Sequence, residues 1–327
     1  METGFSKLEG YLKKNDKFII STHESPDADG IGAEIAFNEL LISLGKETII
    51  INSDPTPDTL EFLDIDKEIT IVYDEKDLPD NIGEYSQFVL DTHDYDNIGS
   101  AYFLLKDRVK DLFIIDHHEG GEDKHAANFI RANASSCCEI IYEIIEHFDK
   151  KLSLKSGQAI YTGMMFDTGS FRYPKTSSLT YYIGGKCLDA GASPFKAFEQ
   201  IYENNSLSSF ALRGLILSTM DVLYDGKLIL MKLTPEMLKE SGAHFTEGEP
   251  SINLPLTVKG VVASVLIKQD IDGPIKVSMR TKGDYDVAKI AIENNGGGHK
   301  NAAGYKSKQS FEETYKQAIE NLKHFFE

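Results

Sequence analysis

"KFIISTHESPDADGIGAEIAFNELLISLG", residues 17–45, decides the fold. It opens as an apolar strand (17–22), crosses a polar loop, and continues as a largely apolar helix (30–45) closed by Gly45. A strand without polar alternation must be covered on both faces, as the strands of parallel sheets are. "ETIIIN" (47–52), "QFVLD" (87–91) and "LFIID" (112–116) repeat the pattern between helical segments. The expected fold class is α/β, with a mostly parallel sheet flanked by helices. Ligands of such sheets bind beyond the carboxyl ends of the strands. Three of these ends carry Asp or His, so they point to one site.

Further on, helices are expected over 136–148 and 154–166, and Ser193-Pro194 opens another that runs to about Tyr202. "ENNSLSS" (203–209) is polar and reads as part of a connection between domains. A helix, the strand "LILMKL" (228–233) and the strand pair 260–269 and 274–281 follow, with Asp272-Gly273 at the turn. "DVAKIAIEN" is helical, and Ser310 with Glu313 forms a capping box for the last helix. The expected organisation is a domain over 1–190, a helical linker over 191–210, and a smaller α+β domain over 211–327.

The 327 residues carry a formal net charge of −18, and no basic stripe is visible. This argues against a surface that tracks long nucleic acid. A small phosphate ligand remains compatible, because bound divalent cations reverse the sign locally. No apolar run reaches the roughly 18–20 residues needed to span a bilayer, and the N-terminal residues lack the apolar core of a signal peptide. Three cysteines without metal-type spacing fit a reduced, cytoplasmic protein.

Four motifs carry chemistry. "HESPDADGIG" places His23, Asp27 and Asp29 in the first strand–helix loop, where Gly30 and Gly32 relieve crowding at the turn. "VLDTHD" adds Asp91, "IIDHH" adds Asp116, His117 and His118, and "MMFDTGSFRY" adds Asp167 behind an apolar helix face. Burying such an aspartate is expensive unless it is paired. A mixed carboxylate–imidazole set suits manganese better than thiolate-bound zinc. Six ligand candidates, His23, Asp27, Asp29, Asp91, His117 and Asp167, suffice for two ions about 3.5–4 Å apart sharing a carboxylate. Near the C-terminus, "NNGGGHKNAAGY" offers Gly296, Gly297 and Gly298 as an anion-binding nest, with His299 and Lys300 as added donors. Arg280, at a strand end, has the fork geometry to grip phosphate.

Together "HESPDADGIG", "VLDTHD", "IIDHH" and "FDTGSFRY" resemble the four motifs of the DHH phosphoesterase superfamily. "VSMRTKG" with "GGGHKNAAGY" resembles its companion DHHA1 domain. Length and layout are similar to the nanoRNase/pAp-phosphatase branch. The resemblance implies an N-terminal DHH domain and a C-terminal DHHA1 domain with an active-site cleft between them. It implies two Mn2+ ions, with Mg2+ or Co2+ as substitutes. His23, Asp27 and Asp91 would hold one, and Asp29, Asp91, His117 and Asp167 the other. His118 would face a phosphate oxygen and Asp116 would orient the histidine pair. Arg280, His299 and the glycine backbone would bind a terminal phosphate or nucleotide, with Lys300 beside them.

The implied function is a cytoplasmic phosphodiesterase, an oligoribonuclease that cuts short RNA and dinucleotides to mononucleotides, with pAp 3′-phosphatase activity as a companion. Relatives also imply a homodimer, and no membrane association. One alternative is turnover of linear or cyclic dinucleotide messengers. Another, from a different class, is a metal-dependent nucleotide-binding regulator without catalysis. The chain departs from the family pattern at Asn97, where relatives often carry arginine, and adds His93 two residues past Asp91. His93 is open to three roles: surface residue, supporting partner, or substitute donor. Arg172 matches the pattern without a role that spacing can assign. Cys137 and Cys138 open a helix and read as packing residues.

Overall fold

The computed structural model describes residues 4–119, 127–271 and 273–326. The expected Asp272-Gly273 turn therefore lies partly outside the described residues. The chain separates into two compact units between Asn204 and Asn205.

In the first unit, α1 (Gly4–Lys14) leads into β1 (Lys17–Ser21), α2 (Ala28–Ser43), β2 (Glu47–Asn52), β3 (Ile69–Ile71) and β4 (Ser86–Leu90). Then come α3 (Ser100–Leu105), β5 (Leu112–Asp116), β6 (Asn128–Ile130), α4 (Cys137–His147), α5 (Leu154–Asp167), α6 (Ser178–Asp189) and α7 (Pro194–Tyr202). The six strands form one sheet in the order β3-β2-β1-β4-β5-β6, and every pairing is parallel. The unbroken apolar runs are explained by cores on both faces. Phe18, Ile20, Phe88, Leu90, Phe113 and Ile115 point to one core with α1, α2, α4, α5 and α6. The alternate residues Ile19, Val89 and Ile114 point to the other, where Ala101 and Leu105 of α3 meet them. Burial of each such side chain is worth about 1.5–3 kcal/mol.

Gly32 shows why α2 had to be read as a packed helix rather than as the end of a turn. A Cβ there would lie 2.5 Å from the Ala159 carbonyl oxygen and 3.0 Å from Cys138 Sγ. The glycine relieves crowding, as its place in the sequence implied, but the crowding comes from α5 and α4 across the helix.

In the second unit, α8 (Leu207–Ser218) precedes β7 (Asp221–Leu223), β8 (Leu228–Leu233), α9 (Pro235–Ser241), β9 (Ala263–Gln269), β10 (Ile275–Thr281), α10 (Val287–Glu293), β11 (Gly297–His299), β12 (Ala302–Ser307) and α11 (Phe311–Leu322). Residues 207–209, expected as connection, are helical because the Ser206 side chain caps α8 by accepting from the Ser209 N–H. The sheet order is β11-β12-β10-β9-β8-β7, antiparallel except for the β8–β9 pair. One face packs on α10 and α11 through Val265, Ile267, Val277 and Met279. Part of the other packs on α8 and α9 through Met231, Leu233 and Leu266.

Candidate metal centre

The strand order reverses its direction of winding between β1 and β4, and a crevice opens at the carboxyl ends of such a pair. His23 follows β1, Asp91 follows β4 and His117 follows β5. Asp27 caps α2, Asp29 lies in its first turn, and Asp167 ends α5. All six residues expected as metal ligands meet here. Their ligand atoms fall into three clusters, each within 4.8 Å: His23 with Asp27 and Asp91, Asp29 with His117 and Asp167, and Asp91 with His117 and His118.

Asp91 is the hinge of the arrangement. Its Oδ1 lies 3.3 Å from His117 Nε2 and its Oδ2 lies 3.5 Å from His23 Nε2. His117 Nε2 is also 3.2 Å from Asp167 Oδ2 and 3.7 Å from Asp29 Oδ2, while His23 Nε2 is 3.9 Å from Asp27 Oδ1. Neighbouring ligands around a cation with bonds of about 2.0–2.1 Å lie about 3 Å apart, and these spacings of 3.2–3.9 Å gather the candidate donors to nearly that distance. The backbone of Asp91 is left-handed, with φ of 62°, while its N–H stays bonded to the Ile115 carbonyl at 3.0 Å. This is an uncommon conformation for a residue with a Cβ, and it turns the carboxylate out of the sheet. Among the described residues Asp91 Oδ1 is buried without a hydrogen-bond partner. Such an atom fits a cation as its missing partner. The donor set therefore fits divalent ions.

The electrostatics agree. Burial pulls His23 down, but Asp27 and Asp91 outweigh it and push its pKa up to about 11. Burial likewise opposes, and Asp91, Asp29 and Asp167 overcome it, to raise His117 to about 10. Asp29 is raised well above the carboxylate range by burial and then by Asp91 and Asp167. Burial raises Asp167 to about 6, with His117 opposing and Asp91 adding. Burial would also raise Asp91, but His117 and His23 hold it below its ordinary value. Protons occupy places that a cation would take.

His23 and Asp29 are braced from behind. His23 Nδ1 bonds the Glu24 carbonyl at 2.9 Å, which leaves Nε2 as the coordinating nitrogen. Among the described residues His117 Nδ1 has no such partner. Asp29 accepts the backbone N–H of Cys137 on Oδ2 at 2.6 Å and of Cys138 on Oδ1 at 2.9 Å. These are unsatisfied amides of the first turn of α4, whose dipole favours a negative group. The two cysteines do pack in the core, and their backbones also carry a role that the side chains did not advertise. Glu34, fully buried behind His23 in α2, accepts from Asn52 Nδ2 at 2.9 Å. Burial raises its carboxyl well above the ordinary value. The sequence signal for Glu34 was weak, since Glu39 stands in the same largely apolar helix.

Asp116 organises the remaining histidines. Its Oδ1 lies 2.7 Å from His118 Nδ1 and accepts the His117 N–H at 2.7 Å. Its Oδ2 lies 2.6 Å from His93 Nδ1. The carboxylate thus braces the imidazoles of His118 and His93, and the backbone rather than the ring of His117. His93 takes the part of a supporting partner. The hydrogen bond to Asp116 raises His118, while burial would raise Asp116 but His118 and His93 hold it down. Asn97 touches the site through its main chain, its carbonyl accepting the Glu24 N–H at 2.5 Å. Arg172 staples the loop after Asp167, with Nε donating to the Gly169 carbonyl at 2.7 Å.

The second unit holds the other expected residues. The glycines do not form an open nest. Gly297 and Gly298 belong to the edge strand β11, paired with Gly304 and Ala303. A ladder turns successive N–H groups to opposite sides, so they do not converge on one anion. Close approach explains the glycine at 298: a Cβ would meet the Ala302 carbonyl oxygen at 2.5 Å, and φ is 134°. Gly296 precedes this strand, its N–H bonded to the Ala291 carbonyl at 2.7 Å. His299 and Arg280 both pair with Ala302 across β12. The side chain of His299 lies outside the described residues. Lys300 is spoken for, since its ammonium lies 2.9 Å from Asp284 Oδ1.

Carboxylates and imidazoles gather round Asp91 at the switch point of a doubly wound sheet, a donor set that could hold a metal ion. Residues 17–165 match the model of the DHH family N-terminal domain, and residues 236–327 match that of the DHHA1 domain. The chain belongs to the DHH phosphoesterase superfamily, with a DHHA1 domain after its DHH domain. It is similar to the bifunctional oligoribonuclease and PAP phosphatase NrnA of Bacillus subtilis, 27% identical over 88% of this chain and 88% of the relative. It is also 26% identical to a membrane protein–large ribosomal subunit bL9 fusion protein of onion yellows phytoplasma, over 97% of this chain. The chain spans only 38% of the length of that fusion. An exopolyphosphatase-related protein of Bacteroides fragilis has the same fold, with a TM-score of 0.88 and 28% identity over 99% of this chain and 97% of that one.

Proposed function

We propose that the chain is a Mn2+-dependent phosphoesterase that cuts short oligoribonucleotides and dinucleotides to mononucleotides and removes the 3′-phosphate of pAp. The observation that carries this reading is Asp91, whose two oxygens each face a different imidazole nitrogen, at 3.3 and 3.5 Å. His23, Asp27 and Asp91 would hold one ion, and Asp29, Asp91, His117 and Asp167 the other. Ions held there would supply Lewis acidity for a phosphoryl group and lower the pKa of water. The chain's own residues orient and supply protons. Asp116 takes the Nδ1–H of His118, so Nε2 is the free ring nitrogen, suited to donate to a phosphate or leaving oxygen. The name of the Bacillus subtilis relative supports the substrate class. The three buried, unpaired cysteines accord with a reducing, cytoplasmic setting.

The test is a panel: a 5′-phosphorylated dinucleotide, a cyclic dinucleotide, a five-residue RNA, a long RNA and pAp. Each is assayed with Mn2+, Mg2+, Co2+ and a chelator. Turnover of the short linear substrates and pAp is expected with Mn2+, with loss under chelation and in Asp91→Ala. A dinucleotide left uncut with Mn2+, with Asp91→Ala indistinguishable from the parent, would refute the reading. Preference for the cyclic form would transfer the assignment to messenger turnover.

A further inference from the structure

The first unit carries a strained turn directly after Asp167. Gly169, Ser170 and Phe171 are left-handed in succession, with φ of 55°, 61° and 62°. Glycine takes this conformation freely, but Ser170 and Phe171 carry a Cβ that crowds the following carbonyl oxygen. Strain of this kind persists only where its surroundings hold it, and it gathers at ligand clamps and active sites. Thr168 holds it here. Its carbonyl accepts the Arg172 and Tyr173 N–H groups, both at 2.9 Å, and its hydroxyl accepts the Phe171 N–H at 2.9 Å. The Arg172 side chain adds its bond to the Gly169 carbonyl.

The turn sends two nearby rings in opposite directions. Phe171 goes inward, its ring centre 5.6 Å from those of Tyr161 and Tyr181, and the Tyr181 hydroxyl donates to the Phe171 carbonyl at 3.3 Å. Tyr173 goes outward and stays 54% exposed. Its ring rests on Gly169, where a Cβ would lie 2.4 Å from Tyr173 Cζ, so backbone supports it from one side. Two residues further on, the Lys175 ammonium donates to the His117 carbonyl at 3.4 Å. That bond moors the segment beside the candidate metal centre. A single exposed ring is ordinary on a protein surface. A ring that a strained turn places and a lysine moors beside a ligand cluster asks for a function.

We infer that Tyr173 is a stacking platform for a nucleobase of the substrate, held at the edge of the metal centre by the 169–171 turn and the Lys175 tether. Every base has a π face, so an aromatic ring takes any of them. The platform therefore favours phosphoesters that carry a base over plain ones, without fixing which base. The ligand set around Asp91 addresses a phosphoryl group and gives no hold on a base. The inference rests on the nucleotide reading for the class of its ligand. Tyr173 is the contact it adds, with Gly169 and Lys175 as positioning residues.

The test uses the full-length chain with Mn2+ and three substrates: a 5′-phosphorylated diadenylate and its two versions lacking one base or the other. In the parent, removal of one of the two bases should raise KM about 5- to 150-fold, the worth of one base on an aromatic ring, with kcat little changed. Tyr173→Ala should erase that penalty and leave the effect of the other base as it was. Tyr173→Phe and Tyr173→Trp should retain it, because stacking needs the ring and not the hydroxyl. Binding is read separately, from the fluorescence quenching of a dinucleotide with 2-aminopurine at the same position, and Tyr173→Ala should lose most of that quenching. An unchanged penalty in a folded Tyr173→Ala, or parent KM values insensitive to both bases, overturns the platform and leaves the proposed reaction standing. Quenching that depends on Tyr173 without any hydrolysis removes the proposed reaction and leaves the platform.

Discussion

Loading the first unit with divalent ions should expel protons, and the structure sets how many. The surrounding carboxylates push His23 up to about 11 and His117 up to about 10 against burial, which favours both protonated at neutral pH. A metal ion takes the lone pair that this proton occupies. At about 1.4 kcal/mol per pH unit, stripping the proton at pH 7 costs about 4 kcal/mol for His117 and about 5 kcal/mol for His23. Each ion displaces one of these protons, so its apparent binding constant should rise about tenfold per pH unit near neutrality. Asp29, also raised, adds a further proton for the ion that it shares with His117. Asp167, near 6, steepens the dependence below that pH.

Calorimetric titration with Mn2+ at about pH 6, 7 and 8, in two buffers of different ionisation enthalpy, counts the protons directly. At least one per ion is expected. A count near zero with pH-independent affinity would show that the histidines are neutral and the reasoning wrong. The same shifts act on the fold. A group whose folded pKa is raised stabilises fully below its unfolded value, and that contribution disappears as pH climbs to the folded value. For Asp167 the window runs from about 4 to 6, and for the histidines from about 6.5 to between 10 and 11. In chelator the melting temperature should therefore fall as pH rises through these windows, whereas the gain on adding Mn2+ should grow.

Two further outcomes follow from single contacts. Asp116→Asn loosens His118 and His93 without removing an expected ligand. It should lower kcat about 10- to 100-fold, with Mn2+ content by elemental analysis unchanged. Gly32→Ala drives a methyl against the Ala159 carbonyl and Cys138 Sγ. It should cost about 1–3 kcal/mol of stability, read by denaturant unfolding, and a wild-type midpoint would disprove the close α2–α5 contact.

The sheet and its ligand line were legible because both are written locally. An apolar run ending in Asp or His states the strand, its burial and its chemistry within seven residues, as "LFIIDHH" does. What brings Asp29 to two amides of α4 is a contact 108 and 109 residues away in sequence, and nothing local in "CCEII" announces it. The glycine run misled for a related reason. Three glycines expose amides in isolation, but whether they stay open depends on what pairs with them, and Ala302–Gly304 does.

Sign of charge separates the two units more sharply than fold does. In the first, carboxylates outnumber the cationic partners, and a phosphate would be repelled unless cations intervene. In the second, Lys268 and Arg280 both stand beside the Glu249 carboxylate. On the proposed function, an acidic chain takes an anionic nucleotide where positive charge is concentrated locally rather than along a basic surface. Binding to such points grows with the charge on one or two phosphates and gains little from a longer backbone. That is the physical reason to expect short substrates, and it stands on the charge layout rather than on any resemblance.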